Sequence, residues 1–304
     1  MRATLQRPTR RQPLVWFPVV FGLVVVLALA AVACSSASAT RTDADQPGSP
    51  GQGRLVDIGG RHLHLECQGT GTPPVVFVAG LGDSGEAAWR TVWGQVARST
   101  RTCVYDRAGL GRSDPSPRAT TYQGAVDDLH ALLRRAHVSG PYLLVGHSLG
   151  GLLARLYAHD HPADVASLVL LDCTPVDWYQ TVQRRLPAEL FSVLQHNPEG
   201  FDLGQELTSL TPLDTPGALG HRPLAVLWAP NQSLPGLPAS TTTQELQRSW
   251  ETEQARLERL SSASRVQRVA GSGHYLQRDR PDLVTSNIDR VLGALRSAPT
   301  SAAG

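Results

Sequence analysis

Over residues 54–304, short runs of apolar residues alternate with stretches in which apolar residues recur at helical spacing. Short apolar runs bounded by turn residues predict strands, and stretches with apolar residues three and four positions apart predict amphipathic helices. The predicted strands are residues 54–58, 62–67, 74–79, 102–105, 142–145, 168–171, 224–228 and 266–269, and the predicted helices are residues 87–97, 122–136, 149–159 and 282–295. Strands that alternate with helices are typical of a mostly parallel sheet flanked by helices. The pattern therefore predicts one α/β domain, whose first two strands form a hairpin over Gly59 and Gly60.

The connection between the sixth and seventh predicted strands, residues 174–222, is far longer than an ordinary loop. It contains amphipathic stretches, notably residues 178–194, and we expect it to form a helical cap over the carboxyl ends of the strands. Four of its apolar side chains are candidates for lining a substrate pocket, although packing of the cap onto the domain explains any one of them more simply. They are Trp178, Tyr179, Leu190 and Phe191.

The first residues of the chain have a different pattern. Four arginines lie among residues 1–11 and precede an uncharged stretch whose apolar centre spans residues 14–33. That centre is long enough to cross a bilayer, which takes about 20 apolar residues. Residues 1–34 are therefore predicted to be an export signal or an anchor. The positive charges on their N-terminal side place the rest of the chain outside the cytoplasm.

Cys34 ends this segment in the run Ala-Val-Ala-Cys-Ser-Ser, residues 31–36, which resembles a bacterial lipoprotein processing site. Lipidation of Cys34 and an uncleaved anchor helix are equally compatible with the sequence, and simple cleavage would give a secreted protein. Residues 35–53 are rich in Ser, Ala, Thr, Pro, Gly and Asp, so they are predicted to be a flexible linker. Either membrane alternative tethers the domain on the extracytoplasmic side.

Composition narrows the class of protein further. With 304 residues, of which 41% are hydrophobic, the chain can bury a substantial core, and its length fits one large α/β domain as well as two small ones. The net charge is +2, and all 28 basic residues are arginines spread along the chain without a dense basic stripe. We therefore expect no nucleic-acid partner. No phosphate loop, dinucleotide fingerprint or metal-ligand spacing is present in the sequence, so we expect no cofactor and no metal.

Ser148 is the strongest candidate for chemistry. It stands in Gly146-His147-Ser148-Leu149-Gly150, between a predicted strand and a predicted helix. A Gly-x-Ser-x-Gly turn folds a strand sharply into a helix and presents the serine hydroxyl above the sheet edge, where it can attack a carbonyl. The first N–H of the following helix, at Leu149, would face the oxyanion that this attack creates.

Four motifs in this order resemble the α/β-hydrolase family over residues 54–304. They are a loop after the third strand (residues 76–84), a loop after the fourth strand (105–113), the nucleophile elbow (146–150) and a glycine-rich histidine loop (271–274). The resemblance implies the α/β-hydrolase fold with an eight-stranded, mostly parallel sheet. It also implies a serine hydrolase that needs no cofactor.

A serine nucleophile needs a base within hydrogen-bond reach, and the histidine loop supplies His274. His147 is expected to point away from Ser148 because the two residues are adjacent. For the acid that orients the base, the sequence leaves two candidates: Asp172 at the end of the sixth strand, and Asn231 after the seventh, where most family members carry a carboxylate. Asn231 cannot stabilise the imidazolium by charge, so we assign Asp172.

The resemblance assigns further residues. The backbone N–H of Leu81, in the loop after the third strand, would be the second oxyanion donor beside Leu149. The family's strand order makes the second and fourth strands neighbours, so Cys67 and Cys103 form a disulfide or remain two buried thiols. Cys173 is expected to lie in the core.

These features together predict an extracytoplasmic serine hydrolase that cleaves small or medium carboxylic esters through an acyl-enzyme. The same triad supports thioester, amide, lactone or C–C hydrolysis and cofactor-free perhydrolysis. Epoxide hydrolases and haloalkane dehalogenases have an aspartate in place of Ser148, which excludes those activities. A catalytically silent surface-binding module is the alternative outside enzymes.

Overall fold

A computed structural model describes residues 53–176, 178–195, 197–201, 210–230 and 241–297 of the chain. The strands within these ranges are β1 (Arg54–Asp57), β2 (His62–Gln68), β3 (Val75–Val78), β4 (Thr102–Tyr105), β5 (Tyr142–His147), β6 (Val165–Leu171), β7 (Leu224–Trp228) and β8 (Ser264–Arg268). The helices are α1 (Gly85–Trp89), α2 (Trp93–Val96), α3 (Tyr122–Arg135), α4 (Leu149–Asp160), α5 (Trp178–Arg185), α6 (Ala188–Gln195), α7 (Thr241–Arg256), α8 (Leu276–Asp279) and α9 (Pro281–Ser297).

The strands form one eight-stranded sheet in the order β1-β2-β4-β3-β5-β6-β7-β8. Strand β2 runs antiparallel to both of its neighbours, and the pairs from β4 to β8 are parallel. The predicted fold class, an α/β-hydrolase fold with a mostly parallel sheet flanked by helices, is confirmed. In a parallel sheet the carboxyl ends of the strands share one edge, and ligands bind at that edge in open α/β folds.

The core lies on both faces of the sheet. Consecutive residues of β3 point to opposite faces, so that Val76 and Val78 belong to one buried cluster while Val75 and Phe77 belong to the other. Helices α3 and α4 contribute to the first cluster, and α1, α2 and α9 to the second. Because β5 and most of β6 are buried on both faces, the residues at their carboxyl ends are held on a rigid scaffold.

Two parts of the chain differ from the predicted elements. The helix predicted over residues 87–97 is divided into α1 and α2, since Val92 has a φ of −118° between them. Helix α7 has no predicted counterpart, although its buried Leu246 and Trp250 stand four positions apart, as in an amphipathic helix. The structure of the insertion, residues 174–222, includes α5, α6 and a short 3-10 helix, Thr211–Asp214.

Cys67 and Cys103 are disulfide-bonded across the antiparallel pair of β2 and β4, where they stand directly opposite each other. Cys173 is a buried free thiol. The disulfide closes a loop with a sequence separation of 36 residues, and cross-linking a loop of this size restricts the unfolded chain.

Removing this disulfide is expected to destabilise the fold. Replacing both Cys67 and Cys103 with serine should lower the free energy of unfolding by about 3–4 kcal/mol, measured by urea denaturation. Reduction of the wild type with a thiol should cause a similar loss, whereas the double variant should not respond to the thiol. Equal stability of the wild type and the double variant under oxidising conditions would contradict the prediction.

The predicted N-terminal elements lie outside the described residues. These are the signal or anchor segment (residues 1–34), the lipidation site Cys34 and the linker (35–53), apart from Gly53. Within the part of the chain that the structure describes, no helix has both the length and the apolar composition needed to cross a bilayer.

Candidate active site

Ser148 occupies the sharp turn between β5 and α4. Its φ of 53° and ψ of −122° are unusual for a residue with a side chain. The turn requires the glycines on either side. A Cβ atom on Gly146 would lie 2.5 Å from the carbonyl oxygen of Gly150, and one on Gly150 would lie 2.1 Å from that of Val78. The structure thus has the strained strand-turn-helix geometry that a nucleophile elbow requires.

The Ser148 hydroxyl lies 3.5 Å from the hydroxyl of Thr174, a buried residue that sequence analysis did not single out. The Thr174 N–H also donates to the Ser148 carbonyl at 3.1 Å. Among the described residues, the Ser148 hydroxyl has no hydrogen bond with His274. In enzyme structures without substrate, hydrogen bonds between catalytic groups are often long and tighten only when substrate binds.

His274 and Asp172 form a close pair. His274 lies in the loop after β8, Asp172 follows the last residue of β6, and the distance from His274 Nδ1 to Asp172 Oδ2 is 2.8 Å. The Asp172 side chain is fully buried, whereas that of His274 is 30% exposed. Since Nδ1 donates to the carboxylate, Nε2 is the ring nitrogen left to accept a proton. The structure brings together the base and the acid that the sequence assigned. The alternative, Asn231, lies outside the described residues.

Asp172 has two further hydrogen bonds through its other carboxylate oxygen. Oδ1 accepts the indole N–H of Trp250 at 2.9 Å and the backbone N–H of Ala229 at 3.4 Å. Burial raises the pKa of Asp172, while the hydrogen bonds from His274, Trp250 and Ala229 act in the opposite direction. Sequence analysis missed Trp250 because it did not predict α7. The only signal was the four-residue spacing of Leu246 and Trp250.

His147 does not simply point away from the site. Its ring is buried, lies 4.6 Å from the His274 ring between centroids, and has Nε2 2.8 Å from the His274 carbonyl oxygen. An N–H at Nε2 therefore donates to the backbone of the histidine loop. His147 supports the base and does not compete with it.

Acid is expected to destabilise the fold through His147. Burial, and then the charges of His274 and Arg278, lower the pKa of His147 well below its ordinary 6.5. Below about pH 6.5 the unfolded chain binds a proton that the folded chain does not, so the free energy of unfolding falls as the pH falls. The contribution is at most about 1.4 kcal/mol per pH unit.

His147→Gln should flatten the pH dependence of the free energy of unfolding between pH 7 and 5, while His159→Gln, an exposed control on α4, should not. Identical pH dependence in all three proteins would refute the assignment.

The two expected oxyanion donors lie on loops at the carboxyl ends of β3 and β5. Leu149 is the first residue of α4, where a helix leaves N–H groups without partners inside the helix. Leu81 follows β3 in the loop of residues 79–82. Neither the Leu81 N–H nor the Leu149 N–H has a hydrogen-bond partner among the described residues.

The insertion contributes buried side chains that pack close to His274 through Trp250 of α7. The Trp178 ring packs edge-on against Trp250, with 4.7 Å between the centroids, and the Trp250 ring lies 6.0 Å from that of His274. Trp178, Tyr179 and Phe191 belong to the buried cluster that includes α3 and α4. The side chain of Leu190 lies outside what the structure describes. The described members of the predicted pocket-lining set therefore pack onto the domain.

One group of side chains in the described ranges has metal-ligand composition: His130, His161 and Asp164. The two imidazole rings are stacked, 3.9 Å apart and within 6° of parallel. Nitrogen lone pairs lie in the ring planes, so one ion cannot lie in both planes. These residues also belong to a different part of the fold from Ser148, and they do not complete a metal centre in this arrangement.

The sheet order and the strand-turn-serine-helix elbow define the α/β-hydrolase class, and this chain has that fold. The family model described as the alpha/beta hydrolase fold matches residues 73–196. This range contains the elbow with Ser148 and the loop with Leu81.

Two proteins of known sequence are similar to part of this chain. The chain is 34% identical over 120 residues to the uncharacterized protein YqjL of Bacillus subtilis, a match that covers 39% of this chain and 47% of that protein. It is 35% identical over 118 residues to a Yersinia enterocolitica protein named "Putative carbamate hydrolase RutD", which covers 38% of this chain and 42% of that protein. Each match thus spans less than half of the relative.

A solved structure matches over a longer range. The thermophilic esterase of Thermogutta terrifontis superimposes with a TM-score of 0.57 and 20% identity, over 80% of this chain and 99% of the esterase. At this identity the likeness shows the fold alone. The chemistry of this chain has to be argued from its own residues.

Proposed function

We propose that this protein is a serine hydrolase that cleaves small or medium carboxylic esters through an acyl-enzyme. The observation that carries the proposal is the 2.8 Å contact between His274 Nδ1 and Asp172 Oδ2 at the sheet edge where Ser148 stands on the elbow. This contact holds the imidazole with Nε2 free, which is the form that a general base needs.

The proposed reaction has two balanced halves. Ser148 Oγ bonds to the acyl carbon, its proton passes to His274 Nε2, and the carbonyl electron pair moves onto the oxygen facing the N–H groups of Leu81 and Leu149. The C–O bond to the alcohol then breaks, and the alcohol leaves with the proton from His274. Water attacks the acyl-enzyme by the same steps, which releases a carboxylic acid and restores Ser148.

Carbamate hydrolysis is the second candidate, favoured by the match to the RutD protein. A carbamate carbonyl needs the same nucleophile, base and oxyanion donors as an ester. The difference between the two lies in the leaving group and in the product, since cleavage of a carbamate can release carbon dioxide and an amine or ammonia.

The test has two parts, each on the full chain. A fluorophosphonate probe should label the wild type, and a panel of aryl esters, thioesters, anilides, lactones and carbamates of graded chain length should rank an ester first by kcat/KM. A burst of alcohol equal in amount to the enzyme, released before steady-state turnover, supports the acyl-enzyme route. Absence of both labelling and turnover would support a binding module instead.

The proposal includes location outside the cytoplasm, tethered to the membrane. The charged and apolar pattern of residues 1–34 supports export, and the disulfide between Cys67 and Cys103 is of a kind found mainly in oxidising compartments. Mass spectrometry of the mature chain separates the alternatives for the N-terminus. A lipidated Cys34 at the N-terminus supports the lipoprotein, a chain that begins at Met1 supports the anchor helix, and a lipid-free cleaved chain in the medium contradicts tethering.

A further inference from the structure

A buried ion pair joins the insertion to the loop after β4. Arg107, two residues beyond β4, has Nε 2.6 Å from Glu199 Oε2 and Nη2 2.7 Å from Glu199 Oε1. The two side chains are 4% and 0% exposed. Burial alone would lower the pKa of Arg107, but the hydrogen bonds and charge of Glu199 outweigh it and leave the pKa raised. Arg107 is therefore a permanent cation in a two-pronged contact with a carboxylate.

The same two side chains hold the backbone of the oxyanion loop, residues 79–82. Arg107 Nη1 donates to the Ala79 carbonyl and Nη2 to the Gly80 carbonyl, each at 2.5 Å. Glu199 Oε1 accepts the Gly82 N–H at 2.7 Å. A Cβ atom on Gly82 would lie 3.0 Å from Pro198, so the insertion is seated directly on this loop.

The contact with the Gly80 carbonyl fixes the direction of the oxyanion donor. The Gly80 carbonyl and the Leu81 N–H belong to one peptide unit, which is not among the cis bonds of the described chain. In a planar trans peptide the C=O and N–H bonds point in opposite directions. A guanidinium that binds the Gly80 oxygen therefore directs the Leu81 N–H the opposite way, and the Asp83 N–H, 3.2 Å from the same oxygen, restricts the peptide further.

We propose that Glu199 is a positioning residue which, through Arg107 and the Gly82 N–H, orients the Leu81 N–H toward the oxyanion. The insertion thereby completes the oxyanion hole, and the hole depends on the insertion being seated. This inference rests on the proposed hydrolase function.

A buried ion pair of this kind contributes little net stability. Replacing a buried ion pair with apolar residues of similar volume is often neutral or stabilising, because desolvation of the two charges offsets their attraction. An apolar pair would supply neither the two donors for the carbonyls of Ala79 and Gly80 nor the acceptor for Gly82. What the charged pair contributes is the conformation of the loop.

The test compares Glu199→Gln with the wild type. Removal of a whole oxyanion donor costs about 100- to 1000-fold in kcat, so a misdirected donor should cost about 10- to 100-fold. We expect that loss in kcat for ester hydrolysis, with KM changed by less than about 3-fold because the ground state makes little use of the hole. The inhibition constant of an alkyl trifluoromethyl ketone, whose serine adduct carries an oxyanion, should rise by a similar factor. The pH of the acid limb of kcat should not move, since the pair of His274 and Asp172 is untouched.

Asp214→Asn is the matched control. Asp214 also lies in the insertion and pairs with a buried arginine, Arg155 of α4, and among the described residues neither side chain has a hydrogen bond to the oxyanion loop. This variant should keep kcat and the ketone inhibition constant within about 2-fold of the wild type.

A double variant separates positioning from folding. If Glu199→Gln folds poorly, Arg107→Met with Glu199→Met leaves no unpaired charge buried and should recover part of the lost melting temperature. A merely structural role predicts that kcat per active site, counted by fluorophosphonate titration, is then restored as well. We expect the loss in kcat and the weaker ketone binding to persist.

The outcomes are distinct. The inference is overturned if the wild type is active and either Glu199→Gln or the double variant keeps the wild-type kcat per active site and the wild-type ketone inhibition constant. The hydrolase function then still stands. A wild type that neither reacts with the probe nor hydrolyses any ester would overturn both.

Discussion

Replacing Ser148 with alanine is expected to lower kcat for ester hydrolysis by about 10⁶-fold. Loss of the nucleophile in a serine hydrolase removes the covalent route, and the oxyanion donors and binding leave a residual acceleration of about 10³- to 10⁴-fold over water. The fold should tolerate the change, because the elbow geometry depends on the close approach of Gly146 and Gly150 and the new side chain is smaller. We expect Ser148→Ala to bind substrate with an affinity close to that of the wild type.

The measurement combines kinetics with covalent labelling. Ser148→Ala should take up no fluorophosphonate, whereas Ser286→Ala, which removes a hydroxyl from the exposed face of α9, should be labelled and turn over like the wild type. Peptide mapping of the labelled wild type should find the adduct on Ser148. Labelling of Ser148→Ala at the wild-type rate would show that another residue is the nucleophile.

The second large effect is expected at Asp172. Replacing Asp172 with asparagine should lower kcat by about 10⁴-fold, the size of loss seen when the acid of such a triad becomes an amide. The amide NH₂ would donate to His274 Nδ1 and force the proton onto Nε2, so that Nε2 could no longer accept the proton of Ser148. The indole N–H of Trp250, 2.9 Å from Oδ1, can still donate to the amide oxygen, so the change should not disrupt α7.

Stability should separate this loss from unfolding. Burial raises the pKa of Asp172 in the folded state, so the folded chain holds a proton more tightly than the unfolded chain. The charged carboxylate then destabilises the fold increasingly as the pH rises above its ordinary 3.8 through the raised value. At neutral pH we expect Asp172→Asn to melt at the same temperature as the wild type or above it.

Two comparisons control for this result. Asp128 lies on α3 and forms a salt bridge with Arg61. Asp128→Asn makes the same chemical change there and should leave kcat within about 2-fold of the wild-type value. Asn231 is the competing candidate from the sequence. Near wild-type turnover of Asp172→Asn, combined with loss of activity on substitution of Asn231, would mean that the assignment of the acid is wrong.

Local pattern was sufficient for most of the fold. The alternation of apolar runs and amphipathic helices predicted β4 and β7 with their observed bounds, and the glycines around Ser148 predicted the elbow. Such features depend on residues close in sequence, whose periodicity and steric limits are visible in the chain itself. Helix α7 was not predicted because few of its positions are apolar. Its two buried apolar residues, Leu246 and Trp250, are too few to establish a helical periodicity.

Hydrogen bonds between residues distant in sequence were harder to predict than the elements. The sequence assigned His274 as the base and Asp172 as the acid, with Asn231 as the weaker alternative. The hydrogen bond that favours Asp172 joins residues separated by 102 positions, and it exists because β6 and β8 end at the same sheet edge. The support that His147 gives to the His274 loop, the donation from Trp250 to Asp172 and the hold of Glu199 on the oxyanion loop also span long separations.

The sequence by itself thus determined most of the strands, the elbow and the candidates for the nucleophile and its base. Only the tertiary structure decided which groups orient them. The physical reason is that a sequence motif depends on steric limits between residues that are neighbours in the chain. A hydrogen bond between distant residues depends on how the strands, the insertion and α7 pack around the buried carboxylate and the oxyanion loop.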